Sequence, residues 1–165
     1  MVRAVLLGLT VLGGLVAGPT AQAHHFAIDL QLQAGKVRKT AHAQVLGLGV
    51  RPKDRSNFTV KAGKRIKVHW TLRSTAAGTV SKNVLAHFFV VREKKAGQRT
   101  VPKLDKDVLL ESALTMDFKP GDKAEGDLNF TVEKPGAYLV RLETIGAATN
   151  ADPHEHFAAL DLVAQ

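Results

Sequence analysis

Residues 118–144 read FKPGDKAEGDLNFTVEKPGAYLVRLET, and the apolar pattern within them sets the fold class. Two alternating runs, 128–132 and 138–142, are separated by Glu133-Lys134-Pro135-Gly136. Strand side chains alternate sides, so Leu128, Phe130 and Val132 share one face, as do Tyr138, Val140 and Leu142. Proline presets φ and glycine accepts positive φ, so Pro135-Gly136 is expected to reverse the chain. Gly136-Ala137-Tyr138 also suits the corner of a sandwich, where a tyrosine hydroxyl bonds back to nearby backbone.

The same period continues upstream. Ile66, Val68, Trp70 and Leu72 fall on one face of a strand whose other face carries Arg65, Lys67, His69, Thr71 and Arg73. That is a half-buried strand with one wet side. Residues 84–91 (VLAHFFVV) are apolar on both faces and predict a strand covered on both sides. Residues 25–32, 36–47, 58–60, 108–118 and 156–163 complete the set. Residues 47–56, 74–83, 94–106 and 145–153 are expected to be loops, with 47–56 and 94–106 basic. No long stretch has helical period and no segment repeats at a fixed interval. About seven to nine short strands with frequent turns predict an all-β, antiparallel, immunoglobulin-like sandwich.

Residues 1–23 read as a cleaved signal peptide. Arg3 is the basic n-region, residues 4–18 are uncharged and apolar, and Ala21-Gln22-Ala23 is the cleavage site. The apolar run is shorter than the ~20 residues of a membrane span. The mature chain, residues 24–165, is then one exported domain, not membrane-spanning, with a bacterial periplasmic or extracellular address. The 165-residue sequence contains no cysteine, which excludes a disulfide framework, a thiolate metal site and a cysteine nucleophile.

Charge is divided along the chain. Residues 24–103 hold 17 basic and 3 acidic side chains, whereas 104–165 hold 5 and 12. Such a division implies either an anionic partner, such as a cell-envelope polymer, or basic and acidic strands that neighbour and neutralise each other. Nucleic acid is not expected, because the compartment is wrong and aromatic side chains are few.

Lys61-Ala62-Gly63 before an alternating strand, then Phe118-Lys119-Pro120-Gly121 and Lys134-Pro135-Gly136-Ala137-Tyr138, resembles the plan of bacterial immunoglobulin-like domains. The likeness is to the cell-adhesion-related type and covers roughly residues 58–144. It implies a passive scaffold or binding module, with no catalytic residues to carry over; with the charge division, the partner expected is a protein or an anionic cell-envelope polymer.

The histidines supply a second reading. Cleavage after Ala23 makes His24 the N-terminal residue, offering an amine and an imidazole, with His25 beside it. His154-Glu155-His156 places two imidazoles on one face of an extended segment. If the chain ends meet, His24, His25, His154 and His156 form a site suited to copper or zinc. In fold class and N-terminal histidine the chain is similar to periplasmic copper-binding sandwich proteins and copper-dependent polysaccharide monooxygenases. It departs from both, with Met116 alone after the signal and a single Trp and Tyr. His87, inside an apolar strand, is expected to be a hydrogen-bonded core histidine, and His69 to face solvent. No Gly-x-Ser-x-Gly elbow, phosphate loop or EF-hand spacing is present, so no enzymatic scheme assembles.

Overall fold

The computed structural model describes residues 26–46, 54–75, 78, 80–145 and 155–165. The signal segment, His24, His25, residues 47–53 of the first basic loop, 146–153 and His154 lie outside them. Ten strands occur among the described residues: β1 Phe26–Ala34, β2 Val37–His42, β3 Gln44–Leu46, β4 Ser56–Val60, β5 Arg65–Ser74, β6 Ser81–Glu93, β7 Val108–Phe118, β8 Lys123–Thr131, β9 Gly136–Ile145 and β10 Glu155–Ala164. They form a four-stranded sheet, ordered β2-β1-β5-β8, and a six-stranded sheet, ordered β3-β10-β9-β6-β7, with β4 also on β10. All pairings are antiparallel except β4 with β10. The all-β sandwich expected from the alternation is therefore the observed fold.

The core lies between the sheets and is built from the alternate residues that sequence period assigns to one face. Phe26, Ile28, Leu30 and Leu32 of β1 meet Ile66, Val68 and Leu72 of β5, and Val140, Leu142, Leu160 and Leu162 of the facing sheet. Fully burying one such aliphatic side chain contributes about 1.5–3 kcal/mol. Trp70 packs against this core too, and its indole occupies the space beside Gly126 of the paired β8. A Cβ at position 126 would stand 2.6 Å from Trp70 Cζ2, so only glycine fits there.

Two connections differ from the expected path. The single strand anticipated over 36–47 is two strands in different sheets. β2 pairs with β1, the chain crosses at Ala43, whose N–H donates to Ile28 O at 2.7 Å, and β3 pairs with β10. Pro135-Gly136 also turns the chain, but between sheets: β8 pairs with β5 and β9 with β6 and β10. Gly136 adopts φ 149°, and the Tyr138 hydroxyl donates to Lys134 O at 2.8 Å. The tyrosine thus closes the corner anticipated from the sequence.

β6 is the strand buried on both faces. Val84, Ala86, Phe88 and Val90 face the sandwich core. Phe89 and Val91 face outward into a second cluster with Leu139, Phe157 and Ala159, against which Leu104 and Val108 pack. The expected basic loop after β6 therefore covers the outside of the large sheet.

Candidate functional site

The two outer faces of the sandwich differ in kind. Beneath the loop that follows β6, the large sheet carries ionised groups with little access to water. Arg55 donates through Nη2 to both oxygens of Glu93 at 2.8 Å and through Nε to Asp161 Oδ1 at 2.8 Å. The Glu93 and Asp161 side chains are 0% exposed. Gly97 N–H donates to the second Asp161 oxygen at 2.9 Å, tying the loop to the same group. Burial pushes the Glu93 carboxyl upward, against the opposing pull of Arg55.

A second network crosses β7, β6 and β9. His87 Nε2 lies 2.9 Å from Glu111 Oε1, and its Nδ1 lies 3.0 Å from Glu143 Oε1. Both ring nitrogens face carboxylates, the arrangement that favours imidazolium. Burial alone would lower the His87 pKa, but the hydrogen bonds to Glu143 and Glu111 outweigh it and raise the value. Arg141 Nε donates to the other Glu143 oxygen at 2.6 Å, and its guanidinium sits 3.9 Å from the Phe157 ring centroid. His87 is buried and hydrogen-bonded as expected, but on the outer face of the large sheet between two carboxylates and not in the sandwich core. Arg55, Glu93, Asp161, Glu111 and Glu143 carried no local signal, because their partners lie on other strands.

The outer face of the four-stranded sheet is open. Apart from Ala27, its outward positions on β1, β5 and β8 are polar: Asp29, Gln31, Gln33, Arg65, Lys67, His69, Thr71, Arg73, Lys123, Glu125, Asp127, Asn129 and Thr131. Its middle is internally paired. His42 Nδ1 lies 2.6 Å from Asp29 Oδ1, Thr71 donates to the other Asp29 oxygen at 3.4 Å, and His69 lies 3.0 Å from Asp127. Lys123 donates to Glu125 and holds its carboxyl below the usual range. β5 of the basic half is thus paired with β8 of the acidic half, and on this face His69–Asp127 is the contact that joins the two.

At one end of this face the cations stay uncommitted. Arg65 and Lys67 form no ion pair among the described residues. With Gln33 and Gly35 they line an open depression of about 160 Å³. Gln33 is oriented by donating to Gly35 O at 3.0 Å and accepting from Arg38 at 3.3 Å.

Of the histidines proposed for metal, only His156 is described. It is the second residue of β10, is 3% exposed, and its ring stands edge-on to Phe26 with centroids 6.3 Å apart. The start of β1 and the start of β10 therefore meet through Phe26 and His156. No group of three His, Asp or Glu side chains among the described residues is arranged to hold a metal ion. No described helix is long and apolar enough to cross a membrane.

No protein-family model and no curated protein matches the chain. Among solved structures, the chain is similar to the C-terminal domain of wzt at 10% identity and a TM-score of 0.45, covering 86% of this chain and 78% of that one. It is also similar to a family 123 glycoside hydrolase from Clostridium perfringens at 9% identity and TM-score 0.39, over 74% of this chain and 26% of that one. A β-glucosidase from Listeria innocua matches at 11% identity and TM-score 0.34, over 76% and 16%. The chain spans about a quarter or less of the two hydrolases, and the assignment of the fold rests on the strand pairing itself.

Proposed function

We propose that the protein is an exported, non-enzymatic β-sandwich module that binds an anionic cell-envelope polymer on the outer face of the four-stranded sheet. The observation that carries this reading is the end of that face where Arg65, Lys67 and Gln33 line one depression with no acidic side chain among its walls. The outer-face carboxylates Asp29, Asp127 and Glu125 lie with His42, His69 and Lys123, so none of them lines this end to compete for an anion. His42, His69 and His87 are hydrogen-bonded to carboxylates, so none of these three described histidines is placed to activate a hydroxyl nucleophile. The resemblance to adhesion-type immunoglobulin-like domains agrees with a scaffold of this kind, as does the signal-like segment 1–23.

The test is retention on immobilised dextran sulfate, with uncharged dextran as control. Wild-type protein should bind the sulfated polymer alone and elute with salt, since exposed charge contacts are screened beyond about 8 Å at physiological ionic strength. Arg65→Ala/Lys67→Ala should weaken binding at least about tenfold, a loss of about 1.4 kcal/mol. Unchanged binding by that variant would transfer the role to another surface or to a protein partner.

One observation favours a second reading, a copper or zinc site formed by His24, His25, His154 and His156. The contact of Phe26 with His156 brings the residues that follow His24-His25 against those that follow His154. Imidazole and amine nitrogens suit these metals. Calorimetric titration of protein exported with its own signal tests it. Stoichiometric binding near ~1 μM, about −8 kcal/mol, that His154→Ala weakens strongly would support the site. Binding indifferent to His154→Ala would point to the N-terminal pair alone.

A further inference from the structure

The sandwich has four sheet edges, and three are guarded. β2 is six residues long and carries Arg38 and Lys39. β8 alternates Lys123, Glu125 and Asp127 along its length. The β10 side of the large sheet is divided between three-residue β3 and five-residue β4. Short strands and charged residues are the usual means of keeping an edge from pairing with another chain.

β7, the opposite edge of the large sheet, is neither short nor basic, and its two charges are engaged by its own sheet. It runs 11 residues, VLLESALTMDF, without proline, lysine or arginine. Its register with β6 is unbroken from Leu110 to Met116, and irregularities lie only beyond those ends. Both of its acids are turned back onto the parent sheet. Glu111 is held by His87 at 2.9 Å, and Asp117 accepts the Asn83 N–H at 2.8 Å. Leu114 is left 53% exposed and Leu109 43%.

We propose that β7 is a self-association edge, pairing antiparallel with β7 of a second copy about a two-fold axis at Ala113. The segment is complementary to itself in that register. Leu110 faces Met116, Glu111 faces Thr115, Ser112 faces Leu114, and Ala113 faces its own copy. No like charges are opposed. The two Glu111 positions lie four residues apart along the strand, about 13 Å, beyond the ~8 Å screening length at physiological salt. The N–H and C=O groups on the outer side of β7, which pair with no strand among the described residues, find partners, and the exposed Leu114 gains an apolar neighbourhood on each copy. A closed two-fold contact of this kind uses the same patch twice and does not propagate into fibres.

The absence of cysteine makes the test clean. Directly opposed residues in antiparallel strands have Cα atoms about 4.5–5.5 Å apart, inside the ~4.4–6.8 Å window for a disulfide. Ala113→Cys should therefore cross-link to itself under mild oxidation at least about tenfold faster than Val37→Cys, an exposed control on the β2 edge. In sedimentation equilibrium the wild-type protein should dimerise, and Leu114→Lys should weaken the dimer at least about tenfold without changing the thermal midpoint of the monomer. A wild-type protein that stays monomeric at ~100 μM, an Ala113→Cys rate no faster than the control, or a dimer indifferent to Leu114→Lys would each overturn the proposal.

Discussion

Replacing Arg55 with methionine keeps the aliphatic bulk beside β10 and removes the cation that faces Glu93 and Asp161. The structure gives the size of the effect. Three charge-assisted hydrogen bonds of 2.8 Å are lost, and two carboxylates whose side chains are 0% exposed lose their counter-charge. Breaking a buried pair in this way costs about 3–5 kcal/mol, because the remaining charge stays desolvated. The loss should depend on pH. Burial already raises the Glu93 pKa above its ordinary 4.5, and Arg55 opposes that rise. A folded chain that holds a proton more tightly than the unfolded one loses stability as pH rises from the unfolded value through the folded one. Without Arg55 the folded value climbs further and the window extends upward. Urea denaturation read by the single tryptophan, Trp70, at pH 5, 6.5 and 8 measures this. The deficit of Arg55→Met should be largest at pH 8 and smaller at pH 5. A deficit below about 1 kcal/mol, or one equal at all three pH values, would refute the assignment of a buried triad.

Three further expectations rest on other parts of the fold. His87 has a folded pKa raised above 6.5, so its contribution is complete below that value and is lost as pH rises through the folded one; His87→Phe should flatten the wild-type decline in stability over this range. Gly126→Ala drives a methyl group into the Trp70 indole. It should cost about 1–3 kcal/mol by overpacking and red-shift the tryptophan emission in the native state. Tyr138→Phe removes the hydroxyl that reaches Lys134 O, with an expected loss of about 1 kcal/mol in denaturant titration.

Much of this was legible from local sequence. The inward residues of β1, β5, β6 and β9 follow the period of two, and His87 declared itself by its apolar neighbours. What local sequence does not carry is which sheet a strand joins. The break at Ala43 lies inside a stretch polar enough to read as one strand, and the Pro135-Gly136 turn serves a hairpin or a sheet crossing equally well. The buried ionic networks were illegible for a related reason. Arg55 finds Glu93 and Asp161 at separations of 38 and 106 residues, and His87 finds Glu111 and Glu143 at 24 and 56. Pairs so remote are fixed by sheet order. Their members look like ordinary surface charges until the order is known. The positions proposed for metal, His24, His25 and His154, depend on the path of segments outside the described residues.

The placement of β10 bears on the order in which the molecule assembles. Residues 155–157 template β3, 160–164 template β4, and the whole strand templates β9. Segments 44–46 and 56–60 therefore wait for residues 155–164, made roughly 100 residues later, before that side of each finds its strand partner. The four-stranded sheet has no such dependence, since β1, β2, β5 and β8 are complete by Thr131. Non-local pairings of this kind place slow, loop-closing steps late in folding. A growing chain is thus held open, with the lower rim of its large sheet unzipped, until residue 164 has been made.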